Sequence, residues 1–383
     1  MKKIITFAAA AAMASPLAIA TAAAGDLDIY GRAHISVDHL DDDTDSSQYL
    51  MSNSSRLGVR GSEYLGMGLT GLFQYETAVD LVDGGTSGLF GQGRDSYLGL
   101  TGDFGTLLGG RLSGPLKSAV DRTNVMIDQL GDAHNLLSPA ASLGGAQDEA
   151  GTDREDVVRS GVPANNVRHN NVLAYVTPSF QGFNATFVYG PRQGVDKGDR
   201  FVIQPEFNGQ VGAGNLFVAL GYLRANEGLV NELAGEMETH EVWQLVAEYK
   251  EAGNWRIMGV FQDYGQSDTY DLVFNGNGDD RVYGIGAGFY IAPSTELKGQ
   301  VMFYDADRSN ADSDMFALAV DHHLTDRTKV YGNWAMIKND DNVARTMHNY
   351  GHRSGTNNIG DEGTTPALGD DQWGVSFGVQ HNF

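Results

Sequence analysis

The sequence predicts an all-β protein, a sixteen-stranded antiparallel transmembrane β-barrel. Two observations predict this fold. Sixteen segments alternate polar and apolar residues with a period of two, which is the pattern of a strand with one polar and one apolar face. The connections between these segments alternate in length. Short turns at one end and long loops at the other are typical of a barrel in a bacterial outer membrane.

The composition limits the class of protein. Of the 383 residues, 26 are Lys or Arg and 49 are Asp or Glu, so the formal net charge is −23. The chain has no cysteine, which excludes disulfide scaffolds, thiolate zinc sites and cysteine nucleophiles. The acidic balance argues against a protein that binds nucleic acid. The 50 glycines follow no triplet repeat, so a collagen-like chain is also excluded.

Residues 1–24 have the pattern of a cleaved signal peptide. Lys2 and Lys3 precede an apolar stretch, and a run of small residues that ends at Ala24 provides the cleavage site. The alternative is a transmembrane anchor, but the apolar part is shorter than the roughly 20 residues of a helical span. We therefore expect two parts: a signal peptide over 1–24 and the barrel over 25–383.

The first segment of the mature chain shows the alternation clearly. Over 27–37, apolar or small residues on one face alternate with Asp, Tyr, Arg, His and Ser on the other. This length matches the about 9–11 residues of a tilted membrane strand and exceeds the about 5–6 residues of a typical soluble strand. The predicted strands lie near 27–38, 55–64, 68–80, 95–104, 105–112, 170–178, 182–190, 200–209, 215–225, 241–251, 254–264, 281–291, 296–305, 314–324, 328–338 and 372–383.

Beginning with the first, the connections are predicted to be long and short in turn. Short ones include 64–67, 292–295 and 324–327, whereas the long ones carry the acidic run 41–43 and residues 340–371. An even strand number puts both termini at the periplasmic, short-turn side. Aromatic residues cluster near the segment ends, as expected for girdles at the two membrane interfaces. They are Phe104, Phe180, Phe183, Tyr189, Phe207, Tyr222, Trp243, Tyr249, Trp255, Phe289 and Phe383.

Five motifs resemble those of the Gram-negative general porins, in the order of that family. They lie at 28–32, 55–66, 96–111, 177–183 and 324–328. The resemblance covers essentially all of 25–383 and implies a homotrimeric diffusion channel of the outer membrane. It also implies that the third extracellular loop folds into the barrel and narrows it. The terminal Phe383 matches the assembly signal that the barrel-assembly machinery reads in this family.

The alternation predicts which charged residues face the pore. It directs Arg32, Arg60 and Arg111 into the lumen and puts Arg56 on the same face of its strand as Arg60, with Glu76 on the polar face of the next strand. The third loop, within 112–169, offers Asp121, Asp128 and Asp132 on the opposite side. A basic wall that faces an acidic loop would create a transverse field at the constriction. The alternative is that these arginines merely pair with carboxylates of neighbouring strands, such as Glu63 and Glu76.

Three patterns that suggest other chemistry fail on inspection. The acidic loop at 41–45 lacks the glycine and the final glutamate of a calcium-binding EF-hand. His348 and His352 are four residues apart but lie in a Gly- and Asn-rich loop. The G-x-G-x-x-G at 66–71 opens a strand and not a helix, so a dinucleotide site is excluded. We expect no catalytic residue, no metal and no cofactor.

The sequence therefore predicts an outer-membrane porin that passes small hydrophilic solutes and ions down their gradients. Its expected partners are two further copies of the chain, outer-membrane lipid and lipopolysaccharide, and the barrel-assembly machinery. Three alternatives stay open: a substrate-selective channel, an adhesion barrel with a plugged lumen, and a barrel hydrolase. The sequence leaves the preference for anions or cations undecided.

Overall fold

A computed structural model describes residues 27–82, 93–137, 168–191, 199–227, 238–265, 279–307, 309–348 and 366–383. The predicted signal peptide lies outside these residues. The described chain forms seventeen β-segments and two helices. In order they are β1 (Leu27–Asp41), β2 (Ser46–Ser52), β3 (Arg56–Gly66), β4 (Leu69–Ala78), β5 (Gly93–Gly102), β6 (Gly105–Ser113), α1 (Pro115–Thr123), α2 (His134–Leu137), β7 (Arg168–Val176), β8 (Phe183–Gly190), β9 (Arg200–Val211), β10 (Gly214–Glu227), β11 (Glu238–Glu251), β12 (Trp255–Tyr264), β13 (Arg281–Ala292), β14 (Thr295–Asp305), β15 (Ser313–Thr325), β16 (Thr328–Asn339) and β17 (Gln372–Asn382).

The strands close into one antiparallel barrel of sixteen strands. Each strand pairs with its neighbours in the sequence, and β17 pairs with β1 from Arg32↔Asn382 to Asp41↔Trp373. Because β2 and β3 both pair with β1, they are two halves of the same barrel strand. The predicted fold class and all sixteen predicted strands are confirmed.

A bulge at residues 53–55 separates β2 from β3. Ser52 lies opposite Ile35 and Arg56 opposite Arg32, so three residues face two on β1. The backbone amide of Asn53 donates to the carbonyl of His34, and Ser54 has a φ of +48°. A bulge of this kind inserts one residue and reverses which side chains face inward. The first connection is consequently a tight hairpin at 42–45, and the prediction of a long loop there was wrong.

The outer surface of the barrel is apolar. Leu98 and Phe377 are 71% and 67% exposed, and neighbouring strands contribute aromatic pairs to this surface. Ring centroids are 4.7 Å apart for Phe183 and Phe207, and 4.5 Å apart for Tyr222 and Trp243. These pairs agree with the predicted girdles.

The described residues after β6, 114–137, fold into the lumen. Leu116, Val120, Met126, Leu130 and Leu136 are at most 1% exposed, so the main buried cluster lies inside the barrel around this third loop. In the described part of the chain, no helix is long and apolar enough to cross a membrane.

Candidate pore constriction

Small residues on the inner wall make room for the third loop. Leu116 of α1 packs over Gly221 of β10, where an added Cβ would lie only 2.7 Å from its side chain. Gly131, with a φ of +76°, lies against Ala317 of β15 and Ala335 of β16. A Cβ on Gly131 would approach that of Ala317 to 2.6 Å. The loop therefore sits in a shallow recess of the wall formed by β10 to β16.

Polar side chains of this wall hold the backbone of the loop. Gln300 donates to the carbonyl of Gly131 at 2.8 Å, and Asn333 donates to the carbonyl of Leu130 at 2.9 Å. Tyr264 donates to the carbonyl of Leu137 at 2.9 Å. These side chains satisfy carbonyl groups that would otherwise be buried without partners.

Charged side chains anchor the loop near its middle. Lys298 donates both to Gln129 Oε1 and to Asp321, each at 2.9 Å, and Gln129 donates back to Asp321 at 3.1 Å. Lys329 also contacts Asp321 at 2.8 Å. Sequence analysis missed this anchor, although the three charged residues lie on neighbouring predicted strands and their alternation directs them inward.

The eighth loop, after β16, also enters the barrel. Residues 343–348 are all buried, and the carbonyl of Met347 accepts hydrogen bonds from Gly131 N at 2.9 Å and from Asn135 Nδ2 at 2.7 Å. Arg345 stacks over Tyr304 at 3.5 Å and donates to the carbonyl of Ala311. Two loops together therefore narrow the lumen. The sequence indicated only a long connection here.

A basic cluster faces the loop from the opposite wall. Arg32 of β1 lies directly opposite Arg56 of β3, and Arg94 of β5 reaches the same region. Glu76 of β4 joins them: it forms an ion pair with Arg94, lies 3.9 Å from Arg56 and accepts a hydrogen bond from Tyr30 at 3.0 Å. Like charges directly opposite each other are unfavourable. The nearby carboxylates reduce this repulsion.

Asp128 connects the loop to this cluster. Its carboxylate forms an ion pair with Arg32. Burial by itself would raise the pKa of the Asp128 carboxyl, but the guanidinium groups of Arg32 and Arg56 hold it well below its usual range. The structure thus brings together four of the candidate residues, Arg32, Arg56, Glu76 and Asp128. Asp128 touches the basic wall and does not face it across open water.

Asp121 and Asp132 make contacts within the loop itself. Asp121 pairs with Lys117, four residues earlier on α1, and with His134 at 3.2 Å. Asp132 contacts the other nitrogen of His134 at 2.9 Å. The structure does not bring Asp121 to the basic cluster, because its carboxylate pairs with Lys117 one helical turn earlier on α1.

Two predicted arginines lie away from the cluster. Arg60 pairs with Asp28 at 2.7 Å near the periplasmic end and stacks over Tyr30 at 4.7 Å. Arg111 contacts Asn170 and the carbonyl of Gly93. Arg111 lies opposite Ser96 on β5, and Ser96 is on the same outward face of β5 as Leu98. A register shift between β6 and β7 lies at the same place, between Gly110 and Leu112. The predicted alternation therefore does not carry through to Arg111.

Sequence analysis missed Arg94 and Arg168. Arg94 precedes the predicted start of its strand, at a register shift between β4 and β5. Arg168 of β7 pairs with Asp95 at 2.7 Å, and Ser113 donates to the same carboxylate. Both arginines lie at the end of a strand next to a long loop. There the alternation of the strand no longer predicts whether a side chain points to the lumen or to the lipid.

In the ion pairs of the basic cluster the arginine is more exposed than its carboxylate. The side chain of Arg32 is 18% exposed and that of Asp128 only 7%, and Arg56 is 22% exposed against 10% for Glu76. The pair of Arg168 and Asp95 shows the same order. The loop itself shows the opposite order, since Asp121 is 20% exposed beside Lys117 at 6%.

The described residues do not include a group of three or more His, Asp or Glu side chains placed to hold a metal ion. Asp42 instead accepts hydrogen bonds from the backbone amides of Thr44 and Asp45, which stabilises the acidic hairpin.

Comparison with known proteins agrees with this architecture. The family model for Gram-negative porins matches residues 7–342. Outer membrane porin protein 32 of Delftia acidovorans is 28% identical over 335 residues, which cover 87% of this chain and 85% of the relative. The structure described as an anion-selective porin from Comamonas acidovorans covers 94% of this chain and 99% of its own, with a TM-score of 0.70 and 25% identity.

More distant structures show the same fold. The trimer form of OmpT, an outer membrane protein of Vibrio cholerae, has a TM-score of 0.58 and 18% identity, and covers 94% of this chain. The family match, the closed barrel and the inward third loop together confirm the resemblance found in the sequence. The chain therefore belongs to the Gram-negative porin family and forms a diffusion channel in the outer membrane.

Proposed function

We propose that this porin is a homotrimeric channel that favours small hydrophilic anions over cations. The observation that carries the proposal is the arrangement of charges in the basic cluster, where each arginine is more exposed than the carboxylate it pairs with. Because the guanidinium groups are the more accessible partners, an ion that passes the cluster is expected to meet a positive local potential.

The net charge of −23 does not oppose this proposal. Much of the negative charge lies in loops, and charges in water are screened over about 8–10 Å at moderate salt. The constriction therefore decides ion preference. An anion-selective relative with 25% identity supports the same direction.

The ion preference is tested by the reversal potential in a planar bilayer with a salt gradient. The wild-type protein should reverse at a potential of the anion-selective sign. Loss of one charge about 5 Å from the ion path, in a water-like dielectric, changes the permeability of each ion about fourfold, in opposite directions for anions and cations. Replacement of Arg56 by Gln should therefore shift the reversal potential towards zero.

A matched control is Arg224→Gln, which removes an equal charge from an exposed pair with Glu241 on β10 and β11. It should leave the reversal potential unchanged. A cation-selective wild type, or equal shifts for the two variants, would contradict the proposal.

We also propose that β1 and β3 contribute to the subunit interface. The outward residues over 27–37 of β1 and 57–61 of β3 are small or aliphatic, with Ile29 63% exposed, whereas the aromatic pairs lie on β7 to β14. Aromatic residues favour the lipid interface. A face without them suits contact with protein. The relative that has a trimer form supports this arrangement. Channel closures in steps of three, together with a trimer-sized band in unheated gels, are the expected result.

The signal peptide over 1–24 and the assembly role of Phe383 are part of the same proposal. The backbone of Phe383 exchanges two hydrogen bonds with Gly31, at 3.0 and 3.1 Å, so this residue completes the seam between the last strand and the first.

A further inference from the structure

Arg122 of the third loop points to the periplasmic side of the barrel. It lies in the last turn of α1, and its Cζ lies 4.0 Å from the ring centroid of Phe217 on β10. Its Nη2 donates to Asn208 Oδ1 on β9 at 2.8 Å. Asn208 lies near the short turn that joins β9 to β10, and short turns are at the periplasmic end of the barrel. Arg122 therefore faces the vestibule between the loop and the periplasm.

The positive charge of Arg122 has no direct ionic partner among the residues that the structure describes. The arginines near the constriction, by contrast, pair with carboxylates. Arg122 is partly exposed, so solutes in the vestibule can reach it. Lys250, which is exposed and shares the inner face of β11 with Glu248, lies opposite Asn215 of β10. It adds a second positive charge at this end of the barrel.

Two carboxylates act on Arg122 from a longer distance, Glu206 of β9 and Glu248 of β11. Both have partners of their own. Asn184 donates to Glu206 at 3.1 Å, and Arg256 lies 4.0 Å from Glu248. These carboxylates repel a solute with several negative charges more strongly than a solute with one. The vestibule next to Arg122 consequently suits a small monoanion.

The amide of Asn208 provides a hydrogen-bond donor beside this cation. Its Oδ1 accepts from Arg122 and also from Asn215 Nδ2, the latter at 2.7 Å. Because a guanidinium can only donate, the contact with Arg122 identifies which end of the amide is the oxygen. Asn208 Nδ2 is left as a donor, and no acceptor in the described ranges contacts it. Arg122 also has further N–H groups besides the one that binds Asn208.

We propose that Arg122 and Asn208 bind a small monocarboxylate in the periplasmic vestibule. One carboxylate oxygen accepts from the guanidinium and the other from Asn208 Nδ2, and the charge strengthens both hydrogen bonds. Asn215 holds the Asn208 amide in the required orientation. The site goes beyond the proposed ion preference, since it lies below the third loop and away from the basic cluster on β1 to β5. A carboxylate that has passed the constriction meets this second site before it reaches the periplasm.

The site is tested by the block of chloride current in a planar bilayer, with acetate added on the periplasmic side of oriented channels. Bound acetate neutralises Arg122 and should lower the current. Arg122→Gln should raise the half-blocking acetate concentration about tenfold, as expected for the loss of a charge-assisted hydrogen bond. Asn208→Asp keeps an acceptor for Arg122 but places a negative charge beside it, and should raise that concentration at least as much. Arg224→Gln, at the other end of β10, is the matched control and should leave it unchanged.

An unchanged half-blocking concentration in both Arg122→Gln and Asn208→Asp, or an equal rise in Arg224→Gln, would overturn the site. Equal block by acetamide, a neutral probe of the same shape, would overturn it as well. The result is separate from that of the ion-preference test. A cation-selective wild type whose acetate block still depends on Arg122 would contradict the ion preference and support this site.

Discussion

Asp128 links the third loop to the wall opposite its anchors. Other described parts of the loop contact β9 to β16, whereas Asp128 pairs with Arg32 on β1. We expect Asp128→Asn to raise the permeability of anions and to lower that of cations, each by about fourfold, since it removes a negative charge from the basic cluster. It should also cost about 1.5–3 kcal/mol of stability, the value of a hydrogen bond to a charged group. Reversal potentials and urea unfolding measure the two effects.

Asp121→Asn is the control for this variant, because Asp121 pairs with Lys117 and His134 within the loop. It removes the same charge but leaves the contact with β1 intact. Equal changes in reversal potential for the two variants would show that the contact with Arg32 has no special effect on permeation.

The contact between Asp128 and Arg32 also predicts a pH dependence. The pKa of Asp128 is lowered in the folded protein, so its contribution to stability is fully present above the unfolded value of about 3.9. The contribution is lost as the pH falls through the lower folded pKa. Single-channel conductance should therefore stay constant from pH 7 to about pH 4 and change only in stronger acid. A transition between pH 7 and 5 that Asp128→Asn abolishes would contradict this assignment.

At the scale of elements, the fit of the third loop depends on Gly131. Gly131→Ala combines a positive φ with a clash against Ala317 and Ala335. Gly253→Ala is the matched control: its φ is +72°, but no atom lies within 4 Å of the added Cβ. Both variants should lose roughly 1–2 kcal/mol from backbone strain. Only Gly131→Ala should lose about 1–3 kcal/mol more and change the conductance. Equal unfolding curves and conductances for the two variants would contradict the close packing of Gly131 against Ala317 and Ala335.

The strands could be predicted from the sequence because apolar side chains face the lipid and polar side chains face the lumen in turn along each strand, which gives a period of two. The prediction failed where that period is interrupted. The bulge at 53–55 concealed β2. Register shifts lie near Arg94, which was not predicted, and near Arg111, to which the predicted inward alternation does not carry through. The inward eighth loop was also missed, because its burial depends on contacts such as that of Met347 with Gly131, which are distant in sequence.

At the candidate constriction the structure brings some of the predicted residues together and leaves others apart. Arg32, Arg56, Glu76 and Asp128 do come together. The ion pair of Asp121 with Lys117 could not be predicted from the sequence, because the position of a long loop inside a barrel depends on its contacts with strands that are distant in sequence. The anchor formed by Lys298 and Asp321 defines that position.

At the scale of the whole molecule, the closing seam has a consequence for how the protein folds. Gly31 bonds to Phe383 beside the pairing of β17 with β1, so the ring closes only after β17 has formed. The entropy cost of joining such distant ends grows only with the logarithm of their separation, but pairing over long distances is slow. Until then β1 and β17 each have an unpaired edge, which can pair with another chain. Before the seam closes, the unfinished barrel is therefore prone to aggregation through these two edges. An assembly factor must cover both edges until β1 and β17 pair.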